Sequence, residues 1–170
     1  MSNSEQDLSV AVAAACGQVQ TLLKQIDGDT YRNARAAGGS IGGHVRHLVN
    51  FFECLLKQGP TGRIDYDLRE RRPEGETDPS AASAALDAIV AAFADGAIDA
   101  MPATLEMRES LPGLEDRPWA ASSPAREAAF CVSHCVHHLA LVRAAAETAG
   151  WRAPEGFGVA ASTLRFRGAA

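Results

Sequence analysis

Apolar residues recur along the chain at three- and four-residue steps, the spacing of one buried helix face. Leu8, Val12, Ala15, Val19, Leu22, Leu23 and Ile26 form the first such stripe and predict a helix from Ser4 to Ile26, ended by Asp27-Gly28-Asp29. Val45, Leu48, Phe51, Phe52, Leu55 and Leu56 form the second, with Ser40 as its N-cap and Lys57 near its end, before Gly59-Pro60 stops it. The third opens at Asp78-Pro79, carries Ala82, Leu86, Ile89, Val90 and Phe93, and closes near Asp95-Gly96. The last is announced by Ser122-Ser123-Pro124 and runs to Ala149, with Gly150 as its C′ residue.

The connections read differently. From Gly59 to Pro79 the chain is polar and broken by Gly62, Pro73 and Gly75, which predicts a long loop after the second helix. Met101 to Ala121 contains four proline or glycine breaks, and Thr104 to Glu109 alternates weakly, as a short strand paired near Trp119 would. The tail from Trp151 to Ala170 mixes glycine, proline and scattered apolar residues, and is expected to lie as an irregular strap over the helices. The expected fold is all-α. It is an up-down-type four-helix bundle with a long loop after helix 2, a short irregular or strand segment before helix 4, and a packed C-terminal tail.

Size and charge narrow the function. A chain of 170 residues with 46% hydrophobic content fits one domain, residues 1–170, with a core of its own. A net charge of −5 and no basic face argue against nucleic acid; Arg69, Arg71 and Arg72 are interleaved with Asp65, Asp67 and Glu70. No uninterrupted apolar run approaches about 18 residues, so no membrane span is expected. Met1 to Val10 lacks the basic start of a secretion signal, and the expectation is a cytoplasmic protein. Cys16, Cys54, Cys131 and Cys135 all fall in helical apolar patterns, where reduced buried thiols are expected.

The candidate chemistry lies in the histidines. All five stand in two clusters on two apolar helices: His44 and His47, then His134, His137 and His138. Residues four apart on a helix are about 40° apart around the axis and one turn apart along it, so His134 and His138 reach one point. Phe130 and Leu141 share their face and mark it as inward. His47, on the face of Phe51 and Cys54, is the third ligand of choice. His44 is a partner behind the ligands or an alternative to His47. Three neutral imidazoles with an open position make the pattern of a catalytic rather than a structural metal site. Imidazole suits zinc, nickel, iron or copper alike, and spacing does not choose among them.

Each neighbour has a plainer alternative. Cys131 lies near enough to be a softer ligand or simply a small core residue. Glu127 falls on the right face but about 10 Å below His134, too far to share an ion. It is expected to accept a hydrogen bond behind the site, or to form a surface ion pair near Arg126 or Arg143. Tyr66, Asp67 and Arg69 either cover the cavity mouth and bind an anionic substrate or form a solvated mixed-charge loop.

At two segments the chain resembles a known family. Ser40-Ile41-Gly42-Gly43-His44-Val45-Arg46-His47-Leu48-Val49-Asn50 and Ser133-His134-Cys135-Val136-His137-His138 look like the histidine motifs of the DinB-like family. These are metal-binding four-helix bundles that include bacillithiol- and mycothiol-dependent transferases and isomerases. The resemblance implies His47, His134 and His138 as ligands of one divalent metal. It departs at Asn50, where the family often has an acid, and at Leu139-Ala140-Leu141, which replaces a common Arg-Gly-Gln. Ile64 to Arg69, Arg126-Glu127 and Phe157 to Leu164 resemble an uncharacterised bacterial subgroup. The expected function is a metal-dependent enzyme, a thiol transferase or hydrolase, that activates a low-molecular-weight thiol or water against a small-molecule substrate. The alternatives are a non-catalytic metal-stabilised or metal-sensing bundle acting as an interaction module, such as a homodimer, and a plain helical module with core histidines.

Overall fold

The computed structural model describes residues 3–113 and 115–168, with the side chains of the first helix from Leu8 onward. It is mostly helical, 62%, with seven α-helices and two small sheets among those residues. Helix α1 (Asn3–Leu23) buries Val12, Ala15, Cys16, Val19 and Leu22. The Asp27 that was expected to end this helix instead starts another. Its carboxylate accepts from the Thr30 N–H at 2.7 Å and caps α2 (Gly28–Asn33).

A hairpin follows, β1 (Arg35–Ala36) against β2 (Gly39–Ser40). Both residues of its turn have positive φ, Ala37 at 48° and Gly38 at 81°, the geometry whose twist suits a two-residue hairpin. Ser40 then caps α3 (Ile41–Gln58), its Oγ accepting from the Gly43 N–H at 3.0 Å.

The expected long loop is ordered. It contains β3 (Arg63–Asp65), a 3₁₀ turn at Tyr66–Leu68 and α4 (Glu74–Thr77), and it leads to α5 (Pro79–Ala94). Order comes from a partner distant in sequence, β4 (Leu105–Arg108), which pairs with β3 in parallel. On its other edge β4 pairs antiparallel with β5 (Ala120–Ser122), beside Trp119 as expected. The Arg63 and Arg108 guanidinium groups both pack on Trp119, 5.2 and 4.4 Å from the centre of its ring.

Helix α6 (Pro124–Thr148) is long and apolar enough, by length and composition alone, to cross a membrane. Here it packs against both α1 and α3, while α5 closes on α1 and α3 from the other side. The buried apolar residues form one continuous cluster. The tail corrects the expected irregular strap: residues 161–168 are helical, forming α7 (Ala161–Gly168), and 169–170 lie outside the described residues. The strap itself is residues 151–158. Phe157 is buried against Trp151, the Gly158 N–H donates to Gln18 at 2.8 Å, and a Cβ at Gly158 would meet the Ala140 backbone at 2.9 Å.

Candidate metal centre

The seam between α3 and α6 brings His47, His134 and His138 together, one ligating atom of each lying within 4.8 Å of the others. Two turns of apolar residues put them there. On α3, Val45, Leu48 and Phe52 sink into the core; on α6, Cys131, Cys135 and Leu139 do the same. The histidines flank those stripes and stay partly buried. The Nε2 atoms of His47 and His134 face each other at 3.0 Å. The His138 ring centroid is 4.6 Å from each of theirs.

His44 is not part of that triangle. Its Nε2 lies 2.9 Å from the Ala36 carbonyl oxygen and its Nδ1 lies 3.0 Å from Nδ1 of His138. A carbonyl oxygen only accepts, so the His44 proton sits on Nε2 and its Nδ1 lone pair accepts from His138. His138 thus carries its proton on Nδ1 and keeps a free lone pair on Nε2. Gly39 gives the ring room, since a Cβ there would approach His44 Nε2 to 3.0 Å. The hairpin holds His44, His44 orients His138, and Nε2 of His138 is left as the nitrogen able to ligate.

Electrostatics keep all three members of the triangle neutral. Burial lowers His47 to about 4, and His134 beside it and the Arg69 and Arg46 cations add to the shift. Burial lowers His134 to about 4, with His137 and Arg69 adding to it. Burial and the neighbouring histidines lower His138 to about 3. Neutral imidazole is the form that ligates a metal, and three of them at one point fit a divalent transition ion in number and donor type.

The surroundings separate the remaining candidates. His137 is exposed, its ring 5.3 Å from that of His138, and stands outside the cluster. An aromatic wall closes one side: Phe51 lies 4.3 Å from His134, Phe130 5.7 Å, and Tyr66 stacks on Phe51 at 5.2 Å. Glu127 corrects the expected surface ion pair. It does pair with Arg126, at 2.9 Å, but it is fully buried and also accepts from Tyr66 at 2.7 Å and Ser122 at 2.5 Å. Arg143 pairs instead with Glu147. Cys131 is a core residue 3.9 Å from the Tyr66 hydroxyl, and burial pushes its thiol up, as it does for Cys54 and Cys16, both to about 12.

The long-loop trio divides likewise. Tyr66 is fully buried, Asp67 is held by Arg117 and Ser110, and Arg69 lies over the Phe51 ring beside the histidines. Sequence reasoning missed the Ala36 carbonyl. The Ala37-Gly38-Gly39 run ahead of Ser40 was the signal for a turn that would deliver it.

No curated protein and no solved structure matches this chain. The family model for the DinB superfamily matches residues 13–142, a span that contains both histidine-bearing helices down to Val142. The chain therefore belongs to the DinB superfamily.

Proposed function

We propose that His47, His134 and His138 hold one divalent transition metal, zinc, nickel or iron, and that the protein is a metal-dependent enzyme acting on a small molecule. The observation that carries this reading is the convergence of three neutral imidazoles from two helices within 4.8 Å. When bound, such an ion supplies Lewis acidity at an open coordination position, enough to make a thiol or water nucleophilic near neutral pH.

The rest falls to side chains. His44 holds the His138 tautomer through the Ala36 carbonyl. Phe51 and Phe130 shield one side of the triangle from water. A low-molecular-weight thiol is a natural co-substrate for a soft, cationic site. Four long helices in up-down order, one domain and a cytoplasmic setting complete the reading.

A second reading, a non-catalytic metal-stabilised or metal-sensing bundle, is favoured by the position of the histidines across the α3–α6 seam, where a metal would clamp the two helices. The test for both begins with the metal content of tag-free protein before and after dialysis against chelator. The proposal expects about one ion per chain. It expects none in His47→Ala, His134→Ala or His138→Ala, and full content in His137→Ala. Full metal in any of the first three variants overturns the ligand set. A fall in Tm of about 10 °C on chelation, with no exchangeable ligand at the ion, supports the structural reading over the catalytic one.

A further inference from the structure

Of the partly buried arginines among the described residues, Arg46, Arg108, Arg117 and Arg143 each have a carboxylate within ion-pair distance. Arg69 has none. Its Nη1 donates to the Tyr66 carbonyl at 2.8 Å, and its buried Nε finds no acceptor. A desolvated guanidinium without a counter-charge is unfavourable, and Asp67, two residues away, is already held by Arg117 and Ser110.

The position of this group is specific. Its guanidinium carbon lies 4.9 Å from the centre of the Phe51 ring, and Phe51 touches both His134, at 4.3 Å, and His47, at 5.0 Å between ring centres. Arg69 is half-buried and also lines a cleft of about 370 Å³ between α3, α5 and the segment before α4, which it shares with Glu53, Lys57 and Glu70 and which none of the histidines lines. Of the guanidinium groups around it, Arg46 pairs with Glu76 although its buried Nε also finds no acceptor, Arg126 pairs with Glu127, and Arg71 is exposed without a carboxylate partner among the described residues.

We propose that Arg69 is the anion-recognition residue of the three-histidine centre, and that the small molecule acting there carries a carboxylate set apart from its reacting atom. This rests on the metal reading above. The Nε–Nη2 edge is the one left without protein acceptors, and a planar two-donor edge matches a carboxylate. One such edge takes one carboxylate.

The test uses two zinc-directed hydroxamates on the zinc-loaded full chain: acetohydroxamate, and succinyl monohydroxamate, which adds a distal carboxylate. Calorimetry is expected to show the carboxylate-bearing probe binding about tenfold tighter, the gain of one charge-assisted pair. Arg69→Gln should erase that preference, read as the ratio of the two probes' affinities on the same zinc-loaded variant, and Arg69→Lys should keep part of it. No preference in the wild type, or a preference that persists in Arg69→Gln, overturns the proposal. So does tighter binding of a phosphonate-tailed analogue than of the carboxylate. Zinc content separates the two readings. If zinc does not bind, the metal reading falls, and Arg69 is tested on the metal-free protein with succinate. Binding lost in Arg69→Gln supports the anion site, and no binding overturns it.

Discussion

His44 and His138 meet nitrogen to nitrogen, Nδ1 to Nδ1 at 3.0 Å, while the far side of His44 is tied to the Ala36 carbonyl. That arrangement makes His44 a residue that acts through His138 rather than on a metal. Removing it should leave one ion per chain but weaken its hold by about 10- to 100-fold, the usual loss when a partner behind a ligating histidine is deleted. Chelator competition on His44→Ala measures this. Unchanged affinity would make the contact incidental, and complete loss of the ion would make His44 a ligand in its own right.

The helices and the histidine faces were legible because both are local. α3, α5 and α6 carry their stripes within the element itself, and Ser40, Asp78 and Ser123 cap them as the sequence suggests. His47, His134 and His138 were assigned from the same periodicity that placed Phe51 and Leu141. The order of the long loop was not legible, because β3 depends on β4: Arg63 pairs with Glu106, and neither short segment has a period of its own. Glu127 was expected to accept a hydrogen bond or to form a surface ion pair, and its complete burial was not legible for a related reason. A carboxylate is expected at the surface unless partnered, and two of its partners, Tyr66 and Ser122, arrive from the 3₁₀ turn and from β5.

Gly42 lies at the start of α3, where the helix comes against α4 and Tyr31. A Cβ there would stand 2.0 Å from the Glu76 carbonyl oxygen and 2.8 Å from Tyr31 Cε1. Backbone cannot yield to that contact as a flexible side chain would. Gly42→Ala should therefore force α3 and α4 apart at a cost of about 1–3 kcal/mol, seen as a fall in Tm of about 3–10 °C. Because His44 is two residues on, metal affinity should fall with it. A Tm within one degree of wild type would show that the two helices have room to separate.

Tyr66 and Glu127 form the buried polar link between the 3₁₀ turn and α6, and the tyrosine hydroxyl is the donor. Burial and the adjacent carboxylate push the Tyr66 hydroxyl far up, so it stays protonated and keeps donating across the working pH range. Tyr66→Phe keeps the ring stacked on Phe51 but deprives a fully buried carboxylate of one of its three donors. The expected loss is about 1–3 kcal/mol of stability, read from the shift in urea midpoint. Ser122→Ala should cost a comparable amount for the same reason, whereas Glu127→Gln should cost less if the two hydroxyls re-pair with its amide oxygen.

The depressed histidines also set a direction for acid sensitivity. In the metal-free protein His47 and His134 titrate near 4 and His138 near 3, against 6.5 for an unperturbed histidine. Below 6.5 the unfolded chain therefore binds protons that the folded chain refuses. Stability should be level on this account above that pH, and should decline as pH falls from 6.5 toward 4. A single His138→Gln substitution removes the largest of the three shifts and should flatten the decline. The comparison is the urea midpoint of metal-free wild type and variant at pH 7 and pH 5. With zinc bound, proton competition should begin only near pH 4–5 instead of at 6.5, because the ligands hold their lone pairs free until then. Wild-type protein that grew more stable between pH 7 and pH 5 would mean that at least one of the three histidines gains, rather than loses, affinity for its proton on folding.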